Sequence, residues 1–151
     1  MIYLTIDEQF QGMVDPAFFN QAAQATFQHQ EISIDTSLSI VVTDDLQMHQ
    51  LNQQFVGIDS PTDVLSFPGG YIDPDTNSYY LGDILISYPR ASEQAKGAGH
   101  CIAAELQLLV VHGILHLVGH DHNEDQNKAA MWTAQSEILS NIGADLLNPP
   151  D

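Results

Sequence analysis

From Ile102 to Val118 the chain is apolar on almost every side of the helix it would form, yet two histidines, His112 and His116, lie inside that run. A helix that is apolar all round belongs in the middle of a domain, so the rest of the chain has to wrap this segment. Burying an imidazole without a partner costs about 1–3 kcal/mol, so each histidine needs a ligand or a hydrogen-bonding neighbour. Residues four apart stand one turn apart on the same helix face, and their rings converge on a common point. Two metal ligands are then in place.

The run continues as HGILHLVGHDH, which ends at His122. Gly119 is a plausible helix stop, and a chain reversal there would carry His122 back over the helix end as a third nitrogen donor. Three imidazoles leave one coordination position open, the pattern of a catalytic rather than a structural zinc. An ion so held lowers the pKa of bound water to about 7. His120 admits two readings, a further imidazole at the mouth or an exposed loop residue. Asp121 likewise either orients a ligand imidazole or caps the next helix.

A chain of 151 residues is the size of one domain, here taken as residues 1–151, with enough buried surface for a proper core. A single cysteine, Cys101, excludes an internal disulfide and a Cys-rich zinc module. The start, MIYLTIDEQF, has neither the basic residues nor the apolar length of a signal peptide, and no run approaches a membrane span. A cytoplasmic protein without membrane contact is expected. Against 20 acidic residues stand only Arg90, Lys96 and Lys128, for a formal charge of −17. Such a surface repels free polyanions, because nucleic-acid binding ordinarily rests on lysine and arginine at the phosphates. It suits a basic partner or a salt-adapted host.

The remaining segments alternate between strand and helix patterns. Ile2 to Ile6 alternates like a strand, and Pro16 to Gln30 spaces its apolar residues like an amphipathic helix. Ser37 to Val42 predicts a second strand, with Thr43 and Asp44 as caps for a helix reaching about Phe55. Val64 to Phe67 reads as a short strand closed by Pro68-Gly69-Gly70. The turn chemistry of Asp73 to Ser78 precedes a strand at Tyr80 to Tyr88. A short helix after Pro89, the long apolar helix, and a last helix from about Asn123 to Ile142 complete the chain. In that last helix Met131, Ile138 and Leu139 face inward. The sum is an α+β domain of about four strands packed against helices, with the metal site at the end of the buried helix.

HGILHLVGHDH resembles the HGxLHLxGxDH signature of the YbeY family of zinc-dependent, single-strand-specific bacterial endoribonucleases. PTDVLSFP (Pro61 to Pro68), LGDILIS (Leu81 to Ser87) and LNQQF (Leu51 to Phe55) resemble that family's other blocks, in order and at matching separations. The resemblance spans about the whole chain. It implies a small, mostly parallel or mixed sheet packed on helices, and one zinc ion held by His112, His116 and His122. It also implies a cleft lined by the PTDVLSFP block, which makes Asp63 and Ser66 candidates for substrate contact. Their plainer readings are a turn or cap residue and an ordinary strand position. The implied role is hydrolysis of single-stranded RNA in rRNA maturation and ribosome quality control. The implied partners are an rRNA precursor, basic small-subunit ribosomal proteins or an Era-type GTPase.

One position departs from the family pattern. An arginine follows the aromatic residue of the LNxxYR block, where this chain has Val56 after Phe55. A positive charge is therefore missing where negative charge develops. Arg90, the chain's only arginine, is the candidate substitute if the cleft brings it near, and otherwise reads as a surface residue. Gly113 stands where an HExxH peptidase carries its glutamate, which disfavours peptidase chemistry. Glu105, two turns before His112, is either a reach into the site or a satisfied carboxylate, and the general base is unassigned. Three classes stay in view: a metal-dependent endoribonuclease, another zinc hydrolase such as a peptidase or amidase, and a non-catalytic, metal-stabilised ribosome-assembly factor. Another divalent ion, such as nickel, fits the same imidazoles.

Overall fold

The computed structural model describes residues 1–120 and 125–144. Its elements are β1 (Ile2–Ile6), α1 (Ala17–His29), β2 (Ser37–Thr43), α2 (Asp45–Leu51), β3 (Val64–Ile72), β4 (Tyr79–Ser87), α3 (Tyr88–Ala98), α4 (Ile102–Leu117) and α5 (Asp125–Asn141). The four strands form one mixed sheet in the order β1-β2-β4-β3, with β1, β2 and β4 parallel and β3 antiparallel to β4. The α+β class and mixed sheet expected from the sequence are what the structure shows.

The helix α4 lies on the face of the sheet that carries Ile84, because a β-carbon built on Gly113 would stand 3.0 Å from the Ile84 side chain. Ile84 pairs with Ile40 on β2 and Ser66 on β3, so those residues share that face. Leu106, Val110, Val111, Ile114 and Leu115 of α4 are fully buried, as are Met131 and Ile138 of α5. α4 touches α1, α3 and α5 as well as β3 and β4, which is the central placement its apolar surface demands.

Two stretches differ from the sequence expectation. The helix capped by Asp44, whose side chain accepts from Gln47 N, runs regularly only to Leu51; Asn52–Val56 is a turn of π-helix, and Gly57 ends it. β3 continues through Pro68-Gly69-Gly70 to Ile72 instead of stopping at Phe67. Proline lacks an N–H for the ladder and is tolerated where a strand is unpaired on one side, as β3 is at the sheet edge. The register shift between Pro68 and Tyr71 absorbs the irregularity.

Candidate metal centre and its cleft

His112 and His116 occupy the last turns of α4, and the helix stops just beyond them. Gly119 takes φ +103, its N–H bonds the His116 carbonyl, and His120 N bonds the Leu115 carbonyl at 2.9 Å. This pair of reversed bonds is a Schellman stop, which requires a left-handed residue at the position glycine holds here. The chain therefore turns back at Gly119, as the sequence predicts. His122 and Asp121 lie outside the described residues.

The two rings are half-buried and meet edge to face, with centroids 4.6 Å apart and planes at 72°. Their Nε2 atoms are 3.1 Å apart. Two nitrogens bound at about 2.0–2.1 Å to one tetrahedral zinc stand about 3.3 Å from each other, so the observed approach fits a shared ion. On its other side, His112 places Nδ1 2.6 Å from Gln135 Oε1 on α5. An amide oxygen only accepts, so Nδ1 of His112 carries the hydrogen and its Nε2 is the acceptor in the contact with His116, the atom that would face a metal. Among the described residues no third histidine, cysteine or carboxylate joins the pair.

Gln135 is 5 % exposed and escaped the sequence reading, although a signal for it exists. It stands four residues after Met131 and three before Ile138, on the stripe of α5 that faces the core. A buried amide on such a stripe needs a polar partner, and His112 is that partner.

The imidazole pair borders a cleft of about 480 Å³, with Asp63, Ser66 and Pro68 on one side and His112, His116 and Leu117 on the other. Both PTDVLSFP candidates are thus brought to the histidines. Ser66 Oγ donates to the Gly113 carbonyl at 3.3 Å, which ties β3 to α4 under the cleft. Asp63 also has a local duty: its Oδ1 accepts from Val64 N at 2.8 Å, and its carbonyl accepts from Ser87 N at 2.9 Å. A hollow of about 600 Å³ between Met1, Phe27, Ile32 and Ile34 offers no titratable side chain.

Position 113 points at the sheet, not into the cleft, and any side chain there would strike Ile84. A larger residue there needs Ile84 to yield by a few tenths of an ångström, and a glutamate would start toward the sheet. Glu105 is likewise committed elsewhere: its carboxylate accepts from His100 Nε2 at 2.5 Å, and both side chains are 3 % exposed. Burial pushes the Glu105 carboxyl above its ordinary range, against the opposing pull of the His100 bond.

Arg90 is held in a forked contact with Asp45, Nη2 to Oδ2 at 2.9 Å and Nε to Oδ1 at 3.4 Å, and Ser87 Oγ also donates to Asp45. The Arg90 bond holds the Asp45 carboxyl below its usual value. Arg90 does not border the cleft, although the Asp63 charge at the cleft's end reaches its guanidinium. Val56, at the end of the π-turn, is 49 % exposed. His120 is partly buried, with Nε2 3.1 Å from Gln30 Oε1.

Residues 7–143 match the family model described as Endoribonuclease YbeY. An endoribonuclease YbeY of Roseiflexus sp. (strain RS-1) is 39% identical over 149 residues, 92% of this chain and 93% of the relative. The endoribonuclease YbeY of Chloroflexus aurantiacus is 41% identical over 152 residues, 95% of this chain and 97% of the relative. Among solved structures, the solution structure of a Thermotoga maritima protein superposes with a TM-score of 0.62 at 28% identity, covering 94% of this chain and 89% of that one.

Proposed function

The chain belongs to the YbeY endoribonuclease family, and from that premise we propose that it is a metal-dependent hydrolase of single-stranded RNA acting in rRNA maturation and ribosome quality control. The observation that carries the metal dependence is the 3.1 Å approach of the His112 and His116 Nε2 atoms at the edge of the cleft, with the His112 tautomer set by Gln135. In this reading His112, His116 and His122 hold one zinc per chain. When bound, such an ion polarises a phosphoryl oxygen and makes water a nucleophile near neutral pH.

The chain's own residues supply position and selection. Ser66 has its hydroxyl on a long bond to a carbonyl, free to turn toward a phosphate oxygen in the cleft. Asp63 would repel a phosphate but accepts a hydrogen bond from a ribose hydroxyl, the group that distinguishes RNA from DNA. Position 113 supplies no carboxylate base, which argues against peptidase chemistry. A cytoplasmic setting belongs to the same reading; among the described residues no single helix is long and apolar enough to cross a membrane.

The charge of −17 favours a second role beside the first. With Arg90 engaged by Asp45, the protein meets RNA with little cationic help, and basic ribosomal proteins or an Era-type GTPase would deliver the substrate. Cleavage of a single-stranded RNA by wild type and Val56→Arg, with and without chelator at low salt, tests the first role. The reading expects cleavage by the wild type that chelator abolishes and Val56→Arg raises. Equal rates with chelator would refute metal dependence, and a Val56→Arg protein no faster than wild type would show that the missing arginine does not limit the rate.

A further inference from the structure

We propose that a row of aromatic side chains on the sheet face opposite α4, beginning at Phe55 and running through Phe67 and Tyr80 to Tyr71, is a stacking subsite for the bases of the RNA strand that enters the cleft. The inference rests on the ribonuclease reading above and adds to it where the bases go.

Successive residues of a strand point to opposite faces. On β3, Ser66 and Pro68 line the cleft, so Phe67 between them projects to the other side. Phe67 pairs in register with Asp83. The Tyr80 hydroxyl donates to Asp83 and accepts from Ser39 Oγ at 2.8 Å, which places Tyr80 on the same second face; the register shift at Ser37/Leu38 brings it there. Tyr71 pairs directly with Tyr80, with ring centroids 5.4 Å apart. At the other end the Phe55 ring meets Phe67 edge to face at 5.7 Å and 70°. β3 is an edge strand, so one backbone separates the cleft from this row, and a strand leaving the cleft over that edge runs onto it.

The two ends of the row are the exposed ones, Phe55 at 62 % and Tyr71 at 52 %. Phe55 is lifted into solvent by the π-turn Asn52–Val56, a departure from regular helix that is frequent at functional sites. Burying Phe55 would be the cheaper arrangement for an ordinary helix residue of this size. The occupant follows from charge. None of the three basic residues lies in the row, and the chain carries −17, so phosphates find no partner there. The faces of nucleobases are uncharged, and stacking on aromatic rings is the contact an acidic surface still offers. Tyr80 stays a neutral phenol, its pKa pushed up to about 12 by burial and by Asp83, so the row adds no charge of its own.

The test measures affinity and cleavage of a single-stranded RNA oligonucleotide by wild type, Phe55→Ala and Tyr71→Ala. Each ring is exposed, so the variants should fold, and unchanged thermal unfolding checks this. The proposal expects Kd and KM to rise about tenfold in each with kcat preserved, the scale of one lost stacked base. Wild-type affinity should not fall as salt rises, unlike the steep loss when phosphates are neutralised. A Phe55→Trp protein on a Trp132→Phe background should bind as wild type and lose fluorescence on adding RNA. If wild type binds and cuts RNA while Phe55→Ala does so within twofold of it, the subsite is wrong and the ribonuclease reading stands. If wild type neither binds nor cuts, both fall.

Discussion

The two ends of α4 hold histidine in opposite circumstances. At its start, His100 and Glu105 form a sealed pair, each 3 % exposed, with Nε2 and Oε2 2.5 Å apart. At its end, His112 and His116 are half-buried beside a cleft and turn their Nε2 atoms toward each other. The Glu105 carboxylate occupies the His100 nitrogen that would otherwise be offered to a ligand. His29 with Glu137 and His49 with Asp59, each at 2.6 Å, make the same carboxylate contact at more exposed positions. His112 instead has a neutral amide, Gln135, which orients the ring without adding charge. In the proposed metal site that amide is the partner that fixes the orientation of the His112 ring.

Truncating one member of each pair sharpens the contrast. Glu105→Ala leaves His100 buried and unmatched and should cost about 3–5 kcal/mol in denaturant unfolding, with zinc content unchanged. A loss below about 1 kcal/mol would show that the pair is not the sealed element described. Gln135→Ala should do the reverse, weakening zinc affinity 10- to 100-fold, roughly the effect of removing an orienting partner, at a small cost in stability. Competition with a chelator reads this directly, and unaltered affinity would remove Gln135 from the site.

Smaller effects follow from pH. The Glu105 carboxyl titrates above its unfolded value of 4.5, so the folded state binds more protons there and stability falls as pH rises through that window. Glu105→Gln should flatten this slope, and parallel Tm–pH curves for the two proteins would contradict the assignment. Asp45 is shifted the other way by Arg90. Its contribution is present above 3.8 and lost as pH falls through the lowered value, so Arg90→Ala and wild type should converge in acid. Both side chains are about a third exposed, and at neutral pH the difference should be about 0–1 kcal/mol.

Much of this was legible in the chain because it is written in local pattern. The all-round apolar run placed α4 at the centre, the i, i+4 spacing put two imidazoles on one face, and Gly119 marked the reversal. What the sequence hid depends on tertiary neighbours. The length of β3 was missed because Pro68 reads as a strand breaker until β3 is known to be an edge. Gln135 was missed because nothing local links α5 to His112. Arg90 looked available as a lone arginine, and only the fold shows Asp45 holding it.

The central claim is that the imidazoles ending α4 share one cation. Elemental analysis of wild type and His116→Ala, purified in parallel, tests it most directly. The account predicts about one zinc per chain in wild type and little or none in the variant; equal metal in both would contradict it.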